Sequence, residues 1–154
     1  MMPMAWLFAA LHLLGLGVGL GSIWARAKAL SGPLDAAGFR RVFYADSWWA
    51  VSAVLWIGTG LVRVLTGLEK GTDYYLHNHV FWTKMALLLA ILVLEISPML
   101  ALMRWRVEVA RGGSPDTRLA GRFARISYIQ AGIVVLMVLA ATAMARGMGV
   151  TPVR

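Results

Sequence analysis

The chain has 154 residues, of which 60% are hydrophobic and 14% charged, with a formal net charge of +8 and no cysteine. A soluble domain averages about 45–50% apolar and about 25% charged residues, so this composition excludes a soluble globular domain. The lack of cysteine excludes disulfides, thiolate-ligated iron and covalently attached c-type haem.

The first apolar run predicts a membrane span over residues 4–25. No Lys or Arg precedes Arg26, no small-x-small cleavage signal follows, and the run exceeds the usual signal-peptide core, so a retained helix is expected. Pro3 suits its first turn, where a missing N–H is no loss. "SGP" at 31–33 breaks the chain. "LDAAGFRRVFYADSWWAVSAVLWIGTGLVRVL" then predicts one long helix, its first part amphipathic along the membrane surface and its second a span over 47–65. Trp48 and Trp49 are expected at the inner interface. After the polar loop "TGLEKGTDYYLHN", Asn78 is a good N-cap for a third span over 79–103. In the loop, Tyr74 and Tyr75 are expected to join Phe81 and Trp82 in an outer aromatic belt. "RGGSPDT" at 111–117 is the next turn, with Asp116 or Thr117 capping a helix whose apolar part spans 126–145. Each run approaches the ~20 residues needed to cross a ~30 Å hydrocarbon layer. The expected fold is all-α: an integral membrane four-helix bundle forming a single transmembrane domain over 1–154.

The basic residues are placed unevenly. Arg26, Lys28, Arg40 and Arg41 fall around the first loop, and Arg104, Arg106, Arg111, Arg118, Arg122 and Arg125 around the third. By the positive-inside rule those loops are cytoplasmic and both termini lie on the outer, periplasmic side of a bacterial inner membrane. The charge is thus read as topology and contact with anionic membrane lipids, not as nucleic-acid binding.

Ionisable groups inside spans are costly and face the bundle or a cavity. Here they are His12, Arg63, Lys84 and Glu95, with Gln130 as an uncharged companion. His12 lies on a helical stripe with Phe8, Gly15, Gly19, Ser22 and Arg26. Gly15 and Gly19 suit either close helix packing of the small-xxx-small kind or a side-chain-free wall for a flat macrocycle. His77 and His79 cannot chelate one ion from a helix, because residues two apart point about 200° from each other. His79, as first residue of the third helix, is disfavoured as imidazolium by the helix dipole and so is suited to ligate a metal. Arg63 and Lys84 lie near the same level, where they either snorkel outward or bind carboxylates such as haem propionates. Glu95 shares a helix face with Lys84 but stands about 16 Å away along the axis, too far to pair. Its expected partners are Arg26, Arg41 or Gln130, unless it carries a proton in a relay. No Walker loop, dinucleotide fingerprint or HExxH motif is present.

Through "LHLLGLGVGLGSIWARAKAL", "LEKGTDYYLHNHVFWTKM" and "ATAMARG", the chain resembles a bacterial family of predicted four-span membrane proteins of unknown function. It is more distantly similar to HemJ-type protoporphyrinogen oxidases, four-helix membrane proteins that use haem b. Those carry a histidine early in the first helix, matched by His12, and a lysine near the start of the third, matched by Lys84. Where they tend to carry two further histidines, this chain has Trp82 and Glu95. It also weakly resembles CopD-type copper-resistance proteins.

Together these readings predict a haem b-binding membrane protein, with a redox activity on a porphyrin or quinone as the enzyme class it would enter. His12 and His79 would be axial ligands and Arg63 and Lys84 propionate anchors. Gly15 and Gly19 would form the macrocycle wall, and Glu95 with Lys84 would handle protons. The alternatives are copper binding or transport through His12, His77 and His79, and a ligand-free accessory subunit. Glycine-rich faces also make a homo-oligomer plausible.

Overall fold

A computed structural model describes residues 2–66 and 76–148, with side chains from Met4 onward, and among these residues the chain forms four long helices. They are α1 (Met2–Leu30), α2 (Ala36–Leu65), α3 (His79–Ala110) and α4 (Ala120–Ala145). All four are long and apolar enough to cross a membrane. Large apolar side chains such as Trp6, Leu13, Val54 and Leu89 point outward, as expected where lipid replaces water as solvent. Tyr74 and Tyr75 lie outside the described residues.

The helix starts follow local chemistry. Asp35 caps α2 by accepting from the Gly38 N–H at 2.7 Å. Gly38 has to be glycine at that turn, because a Cβ there would overlap the Pro33 carbonyl oxygen. Asn78 caps α3, accepting from the N–H groups of Val80 and Phe81, which makes His79 its first residue as expected. α4 differs from expectation. It starts at Ala120 after Leu119, which offers no side-chain cap. Asp116 instead closes its own turn by accepting from the Arg118 backbone and guanidinium. That exposed ion pair holds the Asp116 carboxyl below its usual range, chiefly through the side-chain hydrogen bond.

Close backbone packing joins α1 with α2, α1 with α4, and α4 with α3. The α2–α3 pair is looser and meets mainly through side chains. The first turns of α2, expected along the membrane surface, are part of the bundle. Phe39 and Val42 pack with Leu102, Trp105, Ala120 and Phe123 in a core at the end that carries the basic segments. A second core, built on Ile23, Trp49, Trp56, Ile91, Ala131 and Val134, fills the middle. Trp49 therefore belongs to the core, while its neighbour Trp48 is exposed. Phe81 likewise turns inward and Trp82 outward, so only one of each aromatic pair faces lipid.

Between the two cores lies a polar layer centred on Arg26. Read from the sequence as a first-loop charge, Arg26 is fully buried. Its guanidinium donates from Nε to Ser127, from Nη1 to Asp46 (2.9 Å) and Glu95 (2.7 Å), and from Nη2 to Glu95 (2.8 Å) and Gln130 (3.0 Å). Every N–H of the planar fork is thereby used. Arg106 donates to the second oxygen of Asp46 at 2.9 Å, and Gln130 donates to Glu95 and to the Ile91 carbonyl. Two arginines thus face two carboxylates, and all four helices contribute.

Removing one member leaves a buried charge exposed to a poor solvent. Arg26→Leu is expected to lower stability on the order of 3 kcal/mol, and Arg26→Leu with Glu95→Leu to recover most of it. Thermal unfolding in detergent measures both, and equal losses in the single and double variants would contradict a charge-driven cost.

Candidate functional site

At the opposite end of the bundle the structure brings together three of the residues singled out from the sequence. His12 on α1, Arg63 on α2 and Lys84 on α3 are all half-buried. Lys84 sits five residues into α3, about 8 Å from its start, so the level is just inside the membrane boundary. The three side chains line two cavities at once. One, of about 210 Å³, occupies the loose α2–α3 seam between Trp56, Gly60 and Leu61 on one side and Phe81, Met85 and Leu88 on the other. The second, of about 380 Å³, lies between Ala9 and Leu13 of α1 and Val138 and Thr142 of α4. Met144 borders both, and Met137 contributes to the first. His12, Arg63 and Lys84 therefore form a polar partition between two apolar chambers. Among the described residues, neither chamber is lined by an acid.

The protonation of His12 follows from its partners. Nδ1 lies 3.0 Å from the Trp56 carbonyl and 3.1 Å from the Thr59 hydroxyl. A carbonyl only accepts, so Nδ1 carries the proton. Thr59 gives its own hydroxyl proton to the Leu55 carbonyl at 2.7 Å, which leaves its oxygen to accept from His12. In the neutral ring the lone pair is then on Nε2. Gly60 permits this close approach: a Cβ there would stand 3.0 Å from the imidazole Cε1.

The remaining expected site residues lie elsewhere. Gly15 and Gly19 are covered by α2, since a Cβ on Gly15 would meet the Trp56 backbone at 3.1 Å and one on Gly19 the Ser52 hydroxyl at 3.2 Å. Their face is a helix contact with no slot for a macrocycle. His77 and His79 are exposed and line neither chamber. Glu95 sits in the Arg26 layer with Arg26 and Gln130, two of its three expected partners. The tryptophan core separates it from Lys84. Among the described residues no group of three or more His, Cys, Asp or Glu side chains could hold a metal ion. The sequence reading missed Thr59, although a lone hydroxyl in "WIGTG" is a signal. It also missed the methionine lining, which looks like any other apolar residue until the helices are packed.

A model of the family described as Predicted membrane protein (DUF2214) matches residues 4–149, and the chain belongs to that family. No curated protein and no solved structure matches it. The family description carries no activity, so function has to be argued from the partition and its chambers.

The glycine contacts give a direct check. Gly15→Ala should destabilise by about 1–3 kcal/mol through overpacking against backbone that cannot yield. Gly19→Ala should cost less, because the Ser52 side chain can turn away. Gly17 and Gly21 meet nothing within 4 Å, so alanine there should be neutral or stabilise by up to about 1 kcal/mol through helix propensity. Melting temperatures of the four purified variants test this order.

Proposed function

We propose that this chain is a multi-pass protein of the bacterial inner membrane that binds an amphiphile with a carboxylate head at the outer end of its bundle. The observation that carries the reading is the convergence of His12, Arg63 and Lys84 on one partition flanked by apolar chambers. A carboxylate accepts hydrogen bonds and bears negative charge, which suits a guanidinium, an ammonium and an imidazole at membrane depth. The apolar tail would occupy the α2–α3 seam, where the helices are not locked together and the lining methionines can repack. The outer location follows from the positive-inside rule, because the basic segments lie at the far end.

Two cationic side chains in the partition favour a carboxylate over copper. Thioethers from Met85, Met137 and Met144 are soft enough for Cu(I), but a guanidinium and an ammonium in the same wall are donors to an anion and offer no ligand atom to a metal ion. A quinone offers only neutral acceptors and uses the cations less well than a carboxylate does.

Haem b is the second reading, and one observation favours it. A histidine whose Nδ1–H is held by a backbone carbonyl presents Nε2 in the orientation of metal-ligating imidazoles. Bound haem would supply one-electron redox chemistry, with His12 as its single protein ligand here and Arg63 and Lys84 toward the propionates. The rest does not fit a bis-histidine site: His79 is outside the chambers and the glycine wall is closed by α2. No redox step is therefore derived.

Titrating the detergent-purified protein with a fluorescent long-chain fatty acid tests the primary reading. Saturable binding is expected, with a loss of about tenfold to a hundredfold on Arg63→Gln or Lys84→Gln, as for a charge-assisted hydrogen bond. The methyl ester should bind no better than those variants see the acid. Equal binding of acid and ester would sink the proposal. A Soret band after expression with ample haem, abolished by His12→Ala, would establish the second reading instead.

A further inference from the structure

A groove of about 770 Å³ follows the outer side of the α1–α2 pair toward the basic end. It is separate from the His12 partition and shares no lining residue with it. Its floor is made of small residues, Gly21, Ala25 and Ala29 on α1 with Ala45 on α2. A Cβ on Gly21 would meet nothing within 4 Å, so the fold itself does not fill this floor. One wall is aromatic: Tyr44 and Trp48 stand edge to face with ring centroids 6.4 Å apart, and both are exposed. At the basic end the groove is flanked by Lys28 and Arg41, both exposed.

We propose that this groove holds one anionic phospholipid, with its phosphate between Lys28 and Arg41 and an acyl chain laid along Gly21 and Ala25. Length, depth and charge agree. From Val18 to Lys28 the groove covers about 15 Å of helix, close to one leaflet of a ~30 Å hydrocarbon layer. The cations come from the last turn of α1 and the second turn of α2, the level of lipid headgroups. Tyr and Trp prefer that boundary. Juxtamembrane Lys and Arg each attract anionic lipid. A second copy of the chain fits less well. A two-fold contact through this face would bring two Lys28–Arg41 pairs together, and like charges across an interface oppose association.

The test is native mass spectrometry of the full chain, released from detergent after titration with phosphatidylglycerol or phosphatidylcholine. The expected result is one retained phosphatidylglycerol and no equivalent phosphatidylcholine. Lys28→Gln with Arg41→Gln should weaken retention roughly thirtyfold, the combined effect of two surface cations on an anionic headgroup. Gly21→Leu keeps both charges, and the Cβ it adds meets nothing within 4 Å, so it should remove the lipid by filling the floor while the melting temperature stays equal to or above that of the parent chain. Arg104→Gln with Arg111→Gln, at the other basic segment, should leave retention intact. The proposal is overturned if those control substitutions reduce binding as much as the Lys28/Arg41 pair does. Equal retention of phosphatidylcholine, or displacement by millimolar inorganic phosphate, would overturn it too. So would a Gly21→Leu variant that alters the monomer–dimer balance without changing the lipid count.

Discussion

A guanidinium with no access to solvent has to be matched donor by donor, and the arrangement around Arg26 is organised by that requirement. In a low-dielectric interior an unmatched N–H or an unopposed charge costs several kcal/mol. Arg26 sends its donors to Asp46 on α2, Glu95 on α3, and Ser127 and Gln130 on α4. No two helices could satisfy it alone, so the layer acts as a register pin for all four. Sliding or rotating any helix by one residue would strand a charge. The apolar cores above and below it are less specific, because Leu, Ile, Val and Trp can pack in several registers.

That pin explains an asymmetry along the bundle. At the basic end, carboxylates face arginines and a dense aromatic core of Phe39, Trp105 and Phe123 closes the helix ends together. At the other end, among the described residues, α2 packs closely against α1, through Gly15 against Trp56 and Gly60 against His12. There α2 and α3 meet across methionines and a cavity. A bundle fixed firmly at one end can leave a seam at the other without losing its fold. The inward face of α1 serves both ends, carrying Arg26 in the pin and His12 in the partition. Those residues lie about 21 Å apart along the helix.

Much of this was legible in the letters. Four apolar runs separated by "SGP", a polar loop and "RGGSPDT" define the spans, since the bilayer thickness dictates their length. The stripe from His12 through Gly15, Gly19 and Ser22 to Arg26 does turn inward, because a 3.6-residue period is local geometry. The Asn78 cap is local as well, needing only a side chain two or three residues from the N–H groups it serves. Reading was less secure where a residue's role depends on depth and neighbour. Trp48 and Trp49 look alike in sequence, yet their directions differ by about 100° on a helix, and only Trp49 packs against Gly19 of α1. Arg26 reads as a loop charge until Asp46 and Glu95 are seen to surround it. Asp46 itself is the lone acid of a basic, aromatic helix start.

What the sequence determined by itself is the number and approximate length of the helices and the inward stripe of α1, because hydrocarbon thickness and helical period act on contiguous residues. It also restricted the intramembrane chemistry to a few ionisable groups. The tertiary structure decided how those groups divide. It sent Glu95 to Arg26 and joined Lys84 to His12 and Arg63. It left His77 and His79 on the surface, and closed Gly15 and Gly19 against α2. Such pairings depend on which helices are neighbours and how each is rotated. That outcome is set by the combined packing of all four helices and the need to satisfy one buried guanidinium.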